Sequence, residues 1–368
     1  MKSIVHLSDL HLSDSKKYGF HWKKAKELVT VLVNDIHSLS KENNLQIDAI
    51  FFTGDLTFSG TKEQFQLFDE HFLSPLIQKL NISKKNIFIT PGNHDVDRSK
   101  VHPLEKQLRT GSDENFISSY FDMINNGEYS WERLYEYCEY NKTILDHHSD
   151  VEQSGRMITC FKVTNKLYVV SVNSAWLAMD DNDIGNLRIT QKQIDFINRA
   201  KIPSDAKIIL LCHHPLDWLN KNDRDIFSTF IEKKVSIFFF GHMHDFKQKL
   251  ESSFCENITL FLQAGTLDTS ENVSGYSLIN FNSSNVISDG RIFYRKYNKE
   301  KTCYEPWEER GNGGVFDFTT EKTLTFDSEK FATLSNEILE KTDKDLLINI
   351  GISDEKKKSL RALFTEPN

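Results

Sequence analysis

Ten residues of this 368-residue chain could do chemistry together: Asp9, His11, Asp55, Asn93, His94, Asp95, His213, His214, His242 and His244. They fall into five short groups, and each group directly follows an apolar run that reads as a buried strand. The clearest is Pro91-Gly92-Asn93-His94-Asp95, after Asn86-Ile87-Phe88-Ile89-Thr90. There a Pro-Gly pair ends the strand in a tight turn. In open α/β sheets ligands sit in the crevice beyond the carboxyl ends of the strands, so five such strand ends point to one shared site. Carboxylates combined with imidazoles suit Mn2+, Fe2+/Fe3+ or Zn2+. Seven of the groups (Asp9, His11, Asp55, Asn93, His213, His242, His244) exceed the needs of one metal with an open position and would serve two. A carboxylate can bridge two cations, and a pair about 3.5–4 Å apart is the clamp used in phosphoryl transfer. One such residue alone is weak evidence; its recurrence at five strand ends reads as an enzyme.

The elements that must position these residues are legible from periodicity. Residues 3–8 read as a first strand. From about 21 to 41 the apolar residues stand at 25, 28, 29, 32, 33, 36 and 39, one face of a helix that covers one side of a sheet. Residues 47–53 form a second strand, and Thr61-Lys62-Glu63-Gln64 is a capping-box pattern opening a helix that carries Phe65, Phe68 and Phe72 inward. With the strand before Asn93 this makes a βαβαβ beginning, hence parallel strands with helices on the faces. Residues 96–156 break the pattern: they hold no good strand, and Phe116/Tyr120 and Trp131/Tyr135 stand four apart as on helix faces. This stretch reads as a helical insertion near the mouth of the site, its aromatics either stacking a base or forming the insertion's own core. Strands near 157–163 and 166–173, a capping-box helix from Thr190 to about Lys201, a strand at 207–212, a helix near 223–234 and a strand at 236–240 follow. Residues 258–263, 276–281 and 291–297 read as strands of a second sheet, in a pattern consistent with a meander. The expected organisation is a catalytic domain over 1–300 and, over 301–368, a linker and mostly helical extension with helices near 328–340 and 354–364.

The net charge of −8 argues against a broad basic surface for nucleic acid. It leaves room for a local basic groove, so nucleic acid stays among the expected partners. No run of about 18 apolar residues suggests a membrane span, and the first residues lack the apolar core of a signal peptide. The five cysteines are scattered, without CxxC spacing, as reduced thiols in a cytoplasmic protein would be. His147 and His148 have no partner cluster and read as surface. Asn173-Ser174, at another strand end, and His214 are expected to line the substrate site.

Taken in order, Asp9-Leu10-His11, Gly54-Asp55, Gly92-Asn93-His94-Asp95, His213-His214-Pro215 and Gly241-His242-Met243-His244 resemble the five blocks of the calcineurin-like metallophosphoesterase family. No block is missing; 96–156 and the tail after 310 lie outside the resemblance. It implies an α/β fold (α+β by some schemes), a two-sheet β-sandwich flanked by helices in four layers. It also implies two divalent metal ions, with Asp9, His11 and His244 on the first, Asn93, His213 and His242 on the second, and Asp55 between them. His213 is preferred to His214 because the ligand in such blocks precedes the proline by two positions. Water activated between the cations would attack phosphorus in line. His94, not needed as a ligand, would protonate the leaving alkoxide or stabilise charge on the phosphate, with Asp95 orienting its ring.

A leaving-group acid matters most for diesters, and the acidic balance favours a small substrate. The pattern is similar to the family's phosphodiesterase branches, so the expected activity is hydrolysis of nucleotide-type phosphodiesters. The alternative is a DNA or RNA nuclease working with a protein partner held by the carboxy-terminal extension. A non-catalytic scaffold is a third reading, opposed by the complete ligand set.

Overall fold

The structure, a computed structural model, describes residues 1–111, 113–128, 131–180, 182–252, 258–282 and 289–320. The helices expected near 328–340 and 354–364 lie outside the described residues.

The first segment builds Ser3–Leu7 (β1), Leu12–Ser13 (β2), Phe20–His21 (β3), Ala25–Asn43 (α1), Ala49–Thr53 (β4), Lys62–Phe68 (α2), Ser74–Leu80 (α3) and Ile87–Thr90 (β5). The second holds Pro103–Thr110 (α4), Glu114–Asn125 (α5), Tyr135–Leu145 (α6), Val151–Ser154 (β6), Ile158–Thr164 (β7) and Leu167–Val172 (β8). The third holds Gln191–Arg199 (α7), Lys207–Leu211 (β9), Lys221–Lys234 (α8), Val235–Phe240 (β10), Lys247–Ser252 (β11), Ile258–Gln263 (β12), Gly275–Phe281 (β13), Asp289–Asn298 (β14), Cys303–Pro306 (β15) and Val315–Thr319 (β16).

Two seven-stranded sheets result. One runs β15-β14-β13-β1-β4-β5, with β16 also on β14; the other runs β11-β12-β10-β9-β8-β7-β6. Within them β1, β4 and β5 are parallel, as are β8, β9, β10 and β12. All three inner strands of the first βαβαβ unit therefore point their carboxyl ends the same way.

Strand side chains alternate between two cores, which is why these strands read as unbroken apolar runs. Ala49, Phe51, Phe88, Ile209, Leu211, Ile237 and Phe239 pack between the sheets. Ile50, Phe52, Ile208, Leu210 and Phe238 face outward into the larger helix-covered core. On that outer side Phe52 meets Phe68 and Phe72 edge-on at 5.7 and 6.3 Å, and Phe238 meets Phe227 at 6.2 Å. All seven apolar positions that defined the first helix are buried in α1. Along one edge of the sandwich hydroxyls stitch the sheets together: Thr90 Oγ1 donates to Val172 O and Ser171 Oγ to Ile89 O, at 2.9 and 2.8 Å.

The structure departs from the sequence reading in four places. Residues 258–263 do not share a sheet with 276–281 and 291–297. β12 lies parallel to β10 in the second sheet, whereas β13 and β14 return to the first, where β13 fills the open edge of β1. The boundary expected at residue 300 falls inside the first sheet, because β15 and β16 both pair with β14. The 96–156 stretch does contain a strand, β6, paired to β7 at the sheet edge. His148 is half-buried; its Nε2 lies 2.9 Å from Ile87 O and its ring packs on Phe88 and Phe161.

The insertion is anchored by Asp97 N donating to Arg133 O at 2.8 Å, two residues beyond Asp95. Its aromatic pairs divide: Tyr120 and Trp131 are buried, Phe116 and Tyr135 exposed. The return of β14 to the first sheet is clamped to α1. Arg295 Nε donates to Asp35 Oδ2 at 2.8 Å, and the Tyr276 hydroxyl donates to the same oxygen at 2.6 Å. Asp35→Ala leaves a largely buried guanidinium uncompensated and should cost about 3–5 kcal/mol, read as a lowered urea midpoint. An unchanged midpoint would mean that the clamp adds nothing.

Candidate metal centre

Each candidate ligand sits two to four residues past the end of β1, β4, β5, β9 or β10, so both sheets feed one crevice. The backbone must turn sharply there. Asp9, His11, Asp55, His242 and His244 adopt left-handed conformations, with φ of 55°, 52°, 52°, 73° and 48°. Such geometry costs about 1–2 kcal/mol per residue, although Asp and His tolerate it better than most. Backbone bonds hold the turns in place: Asp9 N donates to Gly54 O at 3.1 Å and His11 N to Asp55 O at 2.9 Å. Glycine precedes the ligand groups because the chains approach so closely. A methyl at Gly92 would overlap Asp55 Oδ1, and one at Gly241 would overlap Ser8 Oγ and crowd Asp9 Oδ2.

Asp55 lies in the middle. Its Oδ2 is 3.2 Å from both His11 Nε2 and His213 Nε2, and its Oδ1 accepts the His94 backbone N–H at 2.7 Å. On one side stand His11, Asp9 and His244, with His244 Nε2 3.4 Å from Asp9 Oδ1. On the other stand His213, Asn93 and His242: His213 Nε2 is 3.1 Å from Asn93 Oδ1 and 3.3 Å from His242 Nδ1. The ligand atoms of Asp9, His11 and His244 lie within 4.8 Å of one another, as do those of Asp9, Asp55 and His213.

The donor set fits cations. Asp9 Oδ1 is buried and makes no well-formed hydrogen bond, its one near group being His244 Nε2 at 3.4 Å, and an oxygen so poorly satisfied needs a compensating group. His213 Nδ1 is 2.6 Å from the Thr53 carbonyl, so it carries the proton. In the neutral ring that can ligate a metal, Nε2 then turns a lone pair toward Asn93 Oδ1, also an acceptor. Two acceptors face to face, beside a carboxylate, call for a positive charge between them, which a cation would supply in place of the second ring proton. Asp9, His11 and His244, and Asn93, His213 and His242, would each hold one ion, with Asp55 shared.

Burial alone would raise the Asp55 carboxyl pKa, but the charges of His213 and His94 and hydrogen bonds from His11 and His213 hold it well below the usual carboxylate range. Burial likewise acts to lower His213; the Asp55 charge and hydrogen bond, with Asp9, overcome it and lift the ring to about 9. His94 moves the other way, lowered by burial against the opposing pull of Asp55.

Two expected contacts are not made. Asp95 does not touch the His94 ring. Its carboxylate accepts from Leu56 N, Thr57 N, Thr57 Oγ1 and Gly92 N at 3.3, 2.9, 3.0 and 2.9 Å. Those donors exhaust it, and it ties the Asp55 turn to the Asn93 turn. The partner of His94 is instead the Phe58 carbonyl, 2.9 Å from Nδ1. Burial and the nearby Asp55 charge push the Asp95 carboxyl up to about 6. Asn173 does not face the crevice: its Oδ1 accepts from Ala175 N at 2.9 Å, and its Nδ2 lies 3.5 Å from Arg156 O. The side chain is consumed in shaping its own turn.

His214 is brought in, with Nε2 3.2 Å from Asn93 Oδ1. Three residues that the sequence did not single out also frame the site: Phe58, Thr53 through its carbonyl, and Trp218, whose ring centroid is 3.9 Å from that of His242. Of the strand-end pair Asn173-Ser174, it is Ser174 that reaches the site's edge, 2.8 Å from His214 Nδ1.

Strand ends from two packed sheets converge on a donor set that could hold two metal ions. Residues 2–246 match the family described as calcineurin-like phosphoesterase, and the chain belongs to it. It is 23% identical over 323 residues to YydB of Bacillus subtilis (strain 168), an uncharacterized metallophosphoesterase-like protein, covering 84% of this chain. The chain spans 62% of the length of that relative. Among solved structures it is similar to a dimetal phosphatase from Danio rerio, at 10% identity and a TM-score of 0.46, covering 87% of this chain and 99% of that one. It is also similar to PhoD, at 10% identity and a TM-score of 0.49, over 88% and 70%. No helix among the described residues is long and apolar enough to cross a membrane.

Loading the site should release protons. His213 is protonated below about 9 in the metal-free protein, and a ligand nitrogen must be unprotonated. The apparent affinity for Mn2+ should therefore fall about tenfold for each pH unit below 9, with at least one proton released per protein. Titrations at pH 6, 7 and 8 check this, and a pH-independent affinity would contradict it. Gly92→Ala should weaken Mn2+ binding more than about tenfold by displacing the Asp55 carboxylate, an effect on the scale of losing a ligand's support; binding as tight as the wild type would show that the turn gives way instead.

Proposed function

We propose that the protein hydrolyses nucleotide-type phosphodiesters at a two-metal centre, with His94 delivering the proton to the leaving oxygen. The observation that carries this reading is the setting of His94. Its Nδ1 is occupied by the Phe58 carbonyl, so Nε2 is the atom free to face substrate, and its ring packs edge-on against His11 with centroids 4.7 Å apart. Two bound cations would supply an activated water and positive charge for the phosphate oxygens. Asp9, His11, Asp55, Asn93, His213, His242 and His244 would hold them, drawn from both sheets. Asp55, through Oδ1, also fixes the backbone of His94, so the acid is positioned by the residue shared between the metals. A bound phosphate brings negative charge beside the imidazole and raises its proton affinity against the lowering effect of burial.

A nucleoside leaving group is supported by what lies next to His94. The Phe58 ring sits 5.2 Å from the imidazole, and Tyr18 lies parallel to Phe58 within 10°, centroids 6.3 Å apart. Tyr18 is half exposed, with Lys17 Nζ 4.8 Å from its ring. Parallel aromatic faces beside the leaving-group acid suit a base, and base–aromatic stacking contributes about 1–3 kcal/mol.

The test compares bis-p-nitrophenyl phosphate with p-nitrophenyl phosphate in Mn2+, using Asp55→Ala as the inactive, metal-poor blank. Faster diester cleavage is expected; cleavage of the monoester alone would make the protein a phosphatase. His94→Ala should keep its metal yet slow an alkoxide-releasing dinucleotide about 100-fold or more. Its effect on p-nitrophenyl esters should be much smaller, since p-nitrophenolate leaves without a proton. Equal losses on both substrates would remove the acid role. Tyr18→Ala should raise KM for the dinucleotide about tenfold with kcat kept; an unchanged KM would remove the stacking role.

A further inference from the structure

The crevice holds a second histidine beside the metal set, with a polar partner at each ring nitrogen. His214 and Ser174 are both completely buried. Ser174 Oγ accepts the His214 backbone N–H at 3.3 Å and stands 2.8 Å from His214 Nδ1. A hydroxyl oxygen accepts twice, so the direction of that contact is set at the other ring nitrogen. Burial keeps the ring neutral, and Nε2 faces an acceptor, Asn93 Oδ1, at 3.2 Å. The ring proton therefore sits on Nε2, and Nδ1 accepts from Ser174. His213 approaches the same oxygen at 3.1 Å; in the neutral form that a metal requires it does so with its lone pair, because its one proton is spent on the Thr53 carbonyl. In that form the two neighbouring rings, centroids 4.7 Å apart, are opposite tautomers: one donates to the amide oxygen and the other would share a cation with it.

We propose that Ser174 and His214 form a positioning pair that locks the Asn93 amide with its oxygen, not its NH2, turned into the second metal site. An asparagine amide is nearly symmetric in shape, and nothing in its packing alone distinguishes oxygen from nitrogen. If the amide turned over, its NH2 would meet the His214 Nε2–H, donor against donor, and would present hydrogens to the cation. The His214 hydrogen bond takes one lone pair of Oδ1 and leaves the other for the metal. His214 is therefore a positioning residue and neither a ligand nor a substrate contact. The proposal rests on the two-metal reading of the site.

The experiment is a titration of full-length metal-free protein with Mn2+, followed by calorimetry and by electron paramagnetic resonance, which separates a spin-coupled pair from a single ion. Wild type should bind two ions. His214→Leu should weaken the second ion 10- to 100-fold, the usual range for losing a residue that orients a ligand, and leave the first unchanged. His214→Gln, which returns an N–H donor near the position of Nε2, should restore most of the loss. Ser174→Ala, which frees the ring to change tautomer, should weaken the second ion about tenfold, on the same scale, and it keeps the test decisive if His214→Leu does not fold. Unchanged second-ion affinity in folded His214→Leu or in Ser174→Ala would overturn the pair. So would a His214→Gln protein as deficient as His214→Leu, which would make His214 a ligand. A wild type that takes up only one Mn2+ would instead remove the two-metal reading itself.

Discussion

A buried anion, Asp55, is the point on which the rest of this structure depends. It is almost wholly removed from solvent, and an isolated carboxylate in such a place would be too costly to remain charged. It stays ionised because imidazoles from both sheets and a backbone N–H converge on its two oxygens. Those groups arrive only if β1, β4, β5 and β9 end at the same level. The parallel registers of both sheets are therefore coupled to the charge state of one residue. Two cations held there would complete the neutralisation that the imidazoles begin.

The same convergence explains where the fold is strained. Five of the seven candidate ligands have left-handed backbones, a conformation that regular strands never need. The crossings between turns leave no room for a Cβ at Gly54, Gly92 or Gly241. Stability for these turns comes from elsewhere: hydroxyl stitches between the sheets, two apolar layers, and carboxylates such as Asp95 that knit one turn to the next. Asp95 belongs to the Asn-His-Asp sequence, yet its work is architectural, and its high pKa reflects its burial and then the proximity of Asp55 rather than any task in proton transfer.

Specificity would lie at the rim, where the chain is least regular. The paired β2 and β3 draw the loop carrying Tyr18 back toward His11, since Phe20 N donates to His11 O at 2.8 Å. Phe58 N donates to Leu12 O at 3.0 Å, so the aromatic shelf and the first metal ligands form one hydrogen-bonded unit. The helical insertion is held by the buried pair of Arg133 with Glu105, by Arg188, which is paired with Asp223 and also donates to Glu114 at 2.6 Å, and by its own aromatic core. Such pairs fix orientation more than they stabilise, which suits a segment that must sit in one place beside a turn.

The sequence by itself determined the order of the ligand groups, their attachment to strand ends and the buried face of α1. All of these follow from local periodicity and turn chemistry, written in consecutive residues. The preference for His213 over His214 came from the family resemblance, and the structure brings both rings to Asn93 Oδ1, at 3.1 and 3.2 Å. Tertiary structure alone decided which strand completes which sheet edge, since the hydrogen-bonding needs of β1 are met by β13, some 270 residues away, and nothing in 258–298 marks the difference between β12 and β13. It decided that Asp95 holds a turn, that Phe58 O holds His94, and that Asn173 turns inward. It decided, too, that Ser174 partners His214 at Nδ1. A side chain's residue type states what bonds it can make; only the fold states which partner stands within 3 Å to make them with.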